Sequence, residues 1–276
     1  MTRLWRIVLL VLVAGIHPAA GEAQTAGLGL RPMRLEMDVT PGRDKTMSFV
    51  IESAPSDPPV RGRLLLTLGD WTIAEDTTVS YHDPGSHPDS ASPWLVLSSA
   101  DVPIESGQER LVRVTARVPA GVAPGVYTSA IFVQERPPAS PPQLGEHHLY
   151  FRFRYVVTVY VIVSPVAPRG EVEDVRLVSS PAGVQQLATR LTNTGTRHAR
   201  PTMDWSVRRA GLDVAVWKNI AATVLLPASS ITETIPLTDA LTPGEYEIEV
   251  QVDFHDGGPI HAVRRPVVID AVAFTQ

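Results

Sequence analysis

Four potential metal ligands, His82, Asp83, His87 and Asp89, fall within eight residues of one Pro/Gly/Ser-rich stretch, and His147 and His148 are adjacent. Zinc sites draw their ligands at spacings that let the side chains converge, and neither group has such a spacing. Neighbouring residues of a strand also point to opposite faces, so His147 and His148 do not make a pair. Both groups read as solvated loop histidines, and no metal or other cofactor is expected. The acidic pair Glu173–Asp174 reads as a strand edge, because acid–base work needs an enclosed cleft to move carboxyl pKa values. The chain has no Gly-x-Ser-x-Gly, no His-Glu-x-x-His and no phosphate-binding loop. The expectation is a protein without catalytic residues.

The main chain offers more. Residues 147–165 read HHLYFRFRYVVTVYVIVSP, longer than a typical strand of about 5–6 residues. One face carries Phe151, Phe153, Tyr155, Val157, Val159, Val161 and Val163; the other carries Arg152, Arg154, Val156, Thr158, Tyr160 and Ile162. A strand this apolar on both faces invites aggregation unless it is covered. Either a second sheet buries it, or it pairs with a strand of another protein.

The N-terminus points to export. Arg3 and Arg6 precede the apolar run Ile7–Ile16, and Gly21-Glu22-Ala23 offers small residues before Gln24, the pattern of a cleavable signal peptide over residues 1–23. The apolar run is shorter than the roughly 20 residues a membrane span needs. No later segment qualifies, and no stable membrane insertion is expected. With no cysteine, the chain can make no disulfide and has no site for lipid attachment through a thiol. The formal net charge is −5, or −6 once Arg3, Arg6 and Glu22 are removed, which is no electrostatic footprint for nucleic acid.

Proline supplies 25 of 276 residues, well above the usual share of about 5%, and it punctuates short β-branched runs. That pattern predicts β-sandwiches. About seven strands are expected in residues 24–164, among them Leu28–Val39, Thr46–Ser53, Arg61–Ile73, Arg110–Val118, Val126–Gln134 and His148–Val163. Trp71 and Trp94 are expected to plug that core. Ser164-Pro165-Val166-Ala167-Pro168 reads as an elbow. Seven more strands follow, from Glu171–Ser179 to Ile260–Ile269. Pro124-Gly125-Val126-Tyr127 and Pro243-Gly244-Glu245-Tyr246 stand just before the penultimate strand of each set, which predicts two related sandwiches.

With those strands placed, the layout resembles the periplasmic pilus chaperones of the chaperone–usher pathway (PapD-like). The resemblance is carried by Leu30-Arg31-Pro32-Met33-Arg34-Leu35-Glu36, by Pro41–Phe49, by Val102–Gly107 leading into Val112-Arg113-Val114, by Tyr127–Pro138, and by the long strand ending at a proline elbow. It implies two tandem immunoglobulin-like domains that shield exported subunits, the first lending its last strand to a subunit that lacks one. Phe151, Phe153, Tyr155 and Val157 would be the side chains that fill the subunit's groove. The resemblance also implies a basic pair that takes the subunit's terminal carboxylate. Arg34 falls at the first of these positions, and an arginine fork suits a carboxylate. Tyr160 falls at the second, where the family has a lysine, and Arg154 or Arg152 would have to substitute from the same strand.

The expectation is therefore an all-β protein with a signal peptide over 1–23 and two tandem immunoglobulin-like β-sandwich domains over 24–164 and 165–276. It would act in the periplasm as a chaperone of pilin-like or coat subunits, with an outer-membrane usher as a further partner. The alternative is a secreted structural or adhesive module; that reading usually goes with a C-terminal anchor, and Val267-Val268-Ile269-Asp270 carries none.

Overall fold

A computed structural model describes residues 27–59, 61–136 and 153–270. The predicted signal segment, Phe151 and Arg152 lie outside the described residues. Among the described residues strands make up almost all of the regular structure, with one 3-10 turn at Ser92–Trp94.

Ten strands build the first sandwich: β1 (Leu28–Arg31), β2 (Arg34–Asp38), β3 (Asp44–Ser53), β4 (Arg61–Ile73), β5 (Val79–His82), β6 (Leu95–Leu97), β7 (Asp101–Glu105), β8 (Glu109–Arg117), β9 (Gly125–Glu135) and β10 (Arg154–Val163). One sheet runs β1-β3-β8-β6; the other runs β2-β10-β9-β4-β5, with β7 also pairing β4. Alternation turns Phe49, Ile51, Val112 and Val114 of the first sheet onto Leu64, Leu66, Ile131, Val133 and Val159 of the second. Each such side chain, fully buried, stabilises the fold by about 1.5–3 kcal/mol.

The run predicted as one strand, Leu28–Val39, is two. Pro32 has no N–H to give a ladder, so pairing stops there. Before it, β1 lies antiparallel to β3; after it, β2 lies parallel to β10 in the opposite sheet. The chain crosses from one layer to the other at Pro32–Met33.

The second sandwich holds β11 (Gly170–Ser179), β12 (Gln185–Asn193), β13 (Thr202–Arg209), β14 (Leu212–Ala221), β15 (Ser230–Pro236), β16 (Gly244–Asp253) and β17 (His261–Ile269). Its sheets run β11-β12-β15 and β14-β13-β16-β17 around Leu187, Leu191, Trp205, Val207, Ile248, Val250 and Phe254. The two Pro-Gly-x-Tyr segments open β9 and β16. In each, the tyrosine hydroxyl donates to the carbonyl four residues back: Tyr127 to Ala123 at 3.0 Å and Tyr246 to Thr242 at 2.9 Å. The shared sequence motif thus closes the same local corner twice.

A third apolar cluster joins the sandwiches. Trp71, Ala130, Phe132, Tyr160 and Ile162 line the outer face of the β10-β9-β4 sheet and meet Val166, Val224 and Leu226. This corrects the expectation for Trp71. Its ring is buried on the outer face, edge-on to Tyr160 at 5.7 Å, and its indole N–H donates to the Ser129 carbonyl at 3.1 Å. Trp94 does border the first core, where its ring meets Tyr127 at 4.6 Å.

Candidate partner-binding cleft

β10 has two neighbours of unequal length. It pairs with β9 along its whole length, from Arg154 opposite Gln134 to Val163 opposite Gly125, but with β2 only over Thr158–Ile162. The Thr158 N–H donates to the Met33 carbonyl at 3.0 Å. Alternation therefore turns the N–H groups of Val156 and Arg154 to the same side, beyond the start of β2. Among the described residues no strand pairs with that side of Arg154–Val157. The free edge ends at Arg34, the first residue of β2.

The side chains along this edge divide by face. Phe153 is 65% exposed. Tyr155 borders the first core, half-buried. Val157 is fully buried between the two sheets of its own sandwich, so it is removed from the set of side chains offered to a partner. On the other face Arg154 lies over the Phe132 ring, 5.0 Å from its centroid, and its Nε donates to Gln134 Oε1 at 3.4 Å. These contacts hold it over β9, six residues before Tyr160, and it does not fill the lysine position.

That position is filled differently. Tyr160 is 1% exposed, sealed where the sandwiches meet. His198 stacks on its ring at 4.6 Å, and the Arg200 guanidinium lies 5.1 Å from its centroid. Burial pushes the Tyr160 hydroxyl pKa up, so the ring is neutral. Tyr160 is thus the floor of the site, and the charge above it comes from the second sandwich.

Arg34 and Glu36 are alternate residues of β2 and share a face; His198 and Arg200 alternate across from them. The segment carrying the latter is held extended by Ala199, whose N–H and C=O exchange 2.9 Å bonds with Leu225. Three nitrogens converge on one oxygen, Glu36 Oε1: Arg34 Nε at 3.1 Å, His198 Nε2 at 3.3 Å and Arg200 Nη2 at 3.5 Å. Burial works to raise the Glu36 pKa, but His198 and then Arg200 outweigh it and hold the carboxyl below its ordinary value. Burial lowers the His198 pKa against the pull of Glu36. The geometry explains why: Nε2 reaches Glu36, whereas Nδ1 is buried with no partner, so a second proton would sit on an unsatisfied donor. Arg197 and Asp38 add a longer pair across the same seam, at 3.7 Å.

Above this cluster lies a cleft of about 530 Å³. Arg34 and Arg200 line one side; Trp71, Ile73, Val79 and Tyr81 of the first sandwich and Val224 of the second line the rest. The sequence singled out Arg34 and Tyr160 but missed Arg200 and His198. Their alternation about Ala199 is visible in the chain, yet no spacing rule ties that loop to β2.

No helix among the described residues is long and apolar enough to cross a membrane. No protein-family model matches the chain, and no curated protein matches it. Among solved structures it is similar to a chain of the chaperone–tip adhesin complex of CFA/I fimbriae biogenesis, at 9% identity, TM-score 0.48, over 87% of this chain and 98% of that one. It is similar to the class 5 fimbriae chaperone CfaA at 11% identity, TM-score 0.45, over 88% and 100%. It is also similar to a chain of the CsuC–CsuE chaperone–tip adhesion subunit complex from the archaic chaperone–usher Csu pili of Acinetobacter baumannii, at 13% identity, TM-score 0.47, over 87% and 98%. The chain is similar over most of its length to structures from fimbrial and pilus assembly by chaperones.

Proposed function

We propose that this protein is a periplasmic chaperone that holds an exported pilin-like or coat subunit by lending it the N-terminal half of β10. Residues 1–23 direct export, 24–164 carry the donor strand, and 165–276 complete the cleft; an outer-membrane usher receives the loaded chaperone. The free edge of Arg154–Val157 ending at Arg34 carries this reading.

A partner strand on that edge lies in the lane that β2 occupies further along. Backbone N–H and C=O groups of Arg154 and Val156 supply the ladder, and Phe153 and Tyr155 enter the partner's open core. The lane ends against two guanidinium groups, Arg34 and Arg200. Two cations at a strand end suit a C-terminal carboxylate, so the partner strand runs parallel to β10, as β2 does. Arg200 takes the part that the resemblance assigns to a lysine at Tyr160.

The test is purification of the mature protein from its native periplasm with mass spectrometry of what copurifies, alongside Arg34→Ala and Phe153→Asp. A small secreted β subunit, captured by wild type and lost from both variants, is the expected result. Recovery of the protein alone while candidate subunits are expressed would overturn the proposal.

A further inference from the structure

The two arginines occupy one side of the cleft, and a bare carboxylate would leave most of its volume unfilled. The remainder is apolar and unusually open for such side chains: Met33 is 54% exposed, Val79 43% and Tyr81 46%. β5 projects from the edge of its sheet with all four residues exposed, and its Val79 and Tyr81 form one wall. Val224 stands on the second sandwich, and the rings of Trp71 and Tyr160 form the base. Such a chamber, lined mainly by apolar side chains with its charge at Arg34 and Arg200, is the form of a site that orients a ligand by charge and holds it by apolar contact. Arg200 presents a 33% exposed side chain to the cleft, with its Nη2 3.5 Å from Glu36 Oε1.

We infer that the cleft reads the last residue of the partner strand, taking its carboxylate on Arg34 and Arg200 and a bulky apolar side chain between Val79, Tyr81 and Val224. This rests on the chaperone reading above and adds a selectivity to it. A large aromatic or branched aliphatic residue displaces water from apolar surface on both walls, whereas glycine leaves it wet. The two features are coupled in space, because the guanidinium groups fix the main-chain end and leave the side chain one direction with apolar surface.

The experiment uses the mature protein and fluorophore-labelled hexapeptides of alternating threonine and valine that end in glycine, leucine or phenylalanine, each as free acid and as amide. Binding is read by fluorescence anisotropy. The leucine and phenylalanine acids are expected to bind at least tenfold tighter than the glycine acid, and the amides about tenfold weaker than their acids. Val79→Ser, an uncharged change at an exposed position that does not threaten the core, should shrink the preference for apolar ends severalfold. Equal binding of the glycine and phenylalanine acids, with acids still favoured over amides, would overturn the side-chain pocket and leave the chaperone reading standing. Equal binding of acids and amides, unaltered by Arg34→Ala, would overturn both.

Discussion

Glu36 on β2 accepts a hydrogen bond from His198 of the second sandwich at 3.3 Å, and this contact stands at the centre of the seam between the two halves. Because the imidazole is buried with its pKa below the ordinary 6.5, the unfolded chain binds a proton near pH 6 that the folded chain does not. Stability is therefore full above about pH 6.5 and falls as pH drops towards the folded value. Glu36, whose carboxyl is also lowered, adds a second loss below its ordinary 4.5. Urea midpoints measured at pH 7.5 and 5.5 should differ in wild type. His198→Phe, which keeps a ring on Tyr160, should make them equal.

The free edge predicts an asymmetric response to proline. Val156 directs its N–H away from β9, so Val156→Pro loses no internal ladder bond and should cost under about 1 kcal/mol of stability. The same change removes one bond to a partner strand, and subunit capture should weaken roughly tenfold. Val157→Pro, one residue on, breaks the β9 ladder and disturbs the first core. It should destabilise the protein far more. Thermal melting and capture measured on both variants check this.

Arg200→Gln should leave folding nearly intact, since the contact with the Tyr160 ring contributes only about 0.5–1 kcal/mol at a partly exposed site. Subunit capture should drop by about tenfold or more. Arg200→Lys should recover only part of it, because an ammonium cannot make the paired bonds of a planar fork. Competition with labelled subunit checks both.

How much of this was legible beforehand follows from what strands write into sequence. Alternation over His148–Val163 announced β10, which runs over Arg154–Val163 among the described residues, and the paired Pro-Gly-x-Tyr motifs announced the repeated sandwich. Alternation also separates Val157 and Val159 from Val156 and Thr158, but it does not say whose core they fill: Val157 was expected in a partner's groove and lies in the protein's own core. What alternation cannot say is which face a second domain covers, so Trp71 was assigned to the wrong side of its sheet. Nor does a single-residue break stand out in Leu28–Val39, although Pro32 was its physical cause. Arg200 was invisible, because its closeness to Arg34 is created by the angle between two sandwiches.

Gly195 packs tightly against the backbone of the linker between the sandwiches. A Cβ there would lie 2.5 Å from both the Ala167 carbonyl oxygen and the Arg169 amide nitrogen, backbone atoms that cannot swing aside. Gly195→Ala should push the linker away from the second sandwich and cost about 1–3 kcal/mol. It should also weaken subunit capture without touching any residue of the cleft. Melting temperature and capture, set against Gly62→Ala, where an added Cβ meets nothing within 4 Å, check the effect.

The division of the cleft between the two halves has a temporal consequence. On the proposed export route the first half emerges first and presents its edge before Arg200, His198 and Val224 arrive. At that stage the chain can form a ladder but has only one of the two guanidinium groups and a single wall. The second half supplies the rest at once. On the proposed reading, full-strength capture requires both halves to have folded, and a half-finished chain would hold its partner by the ladder alone.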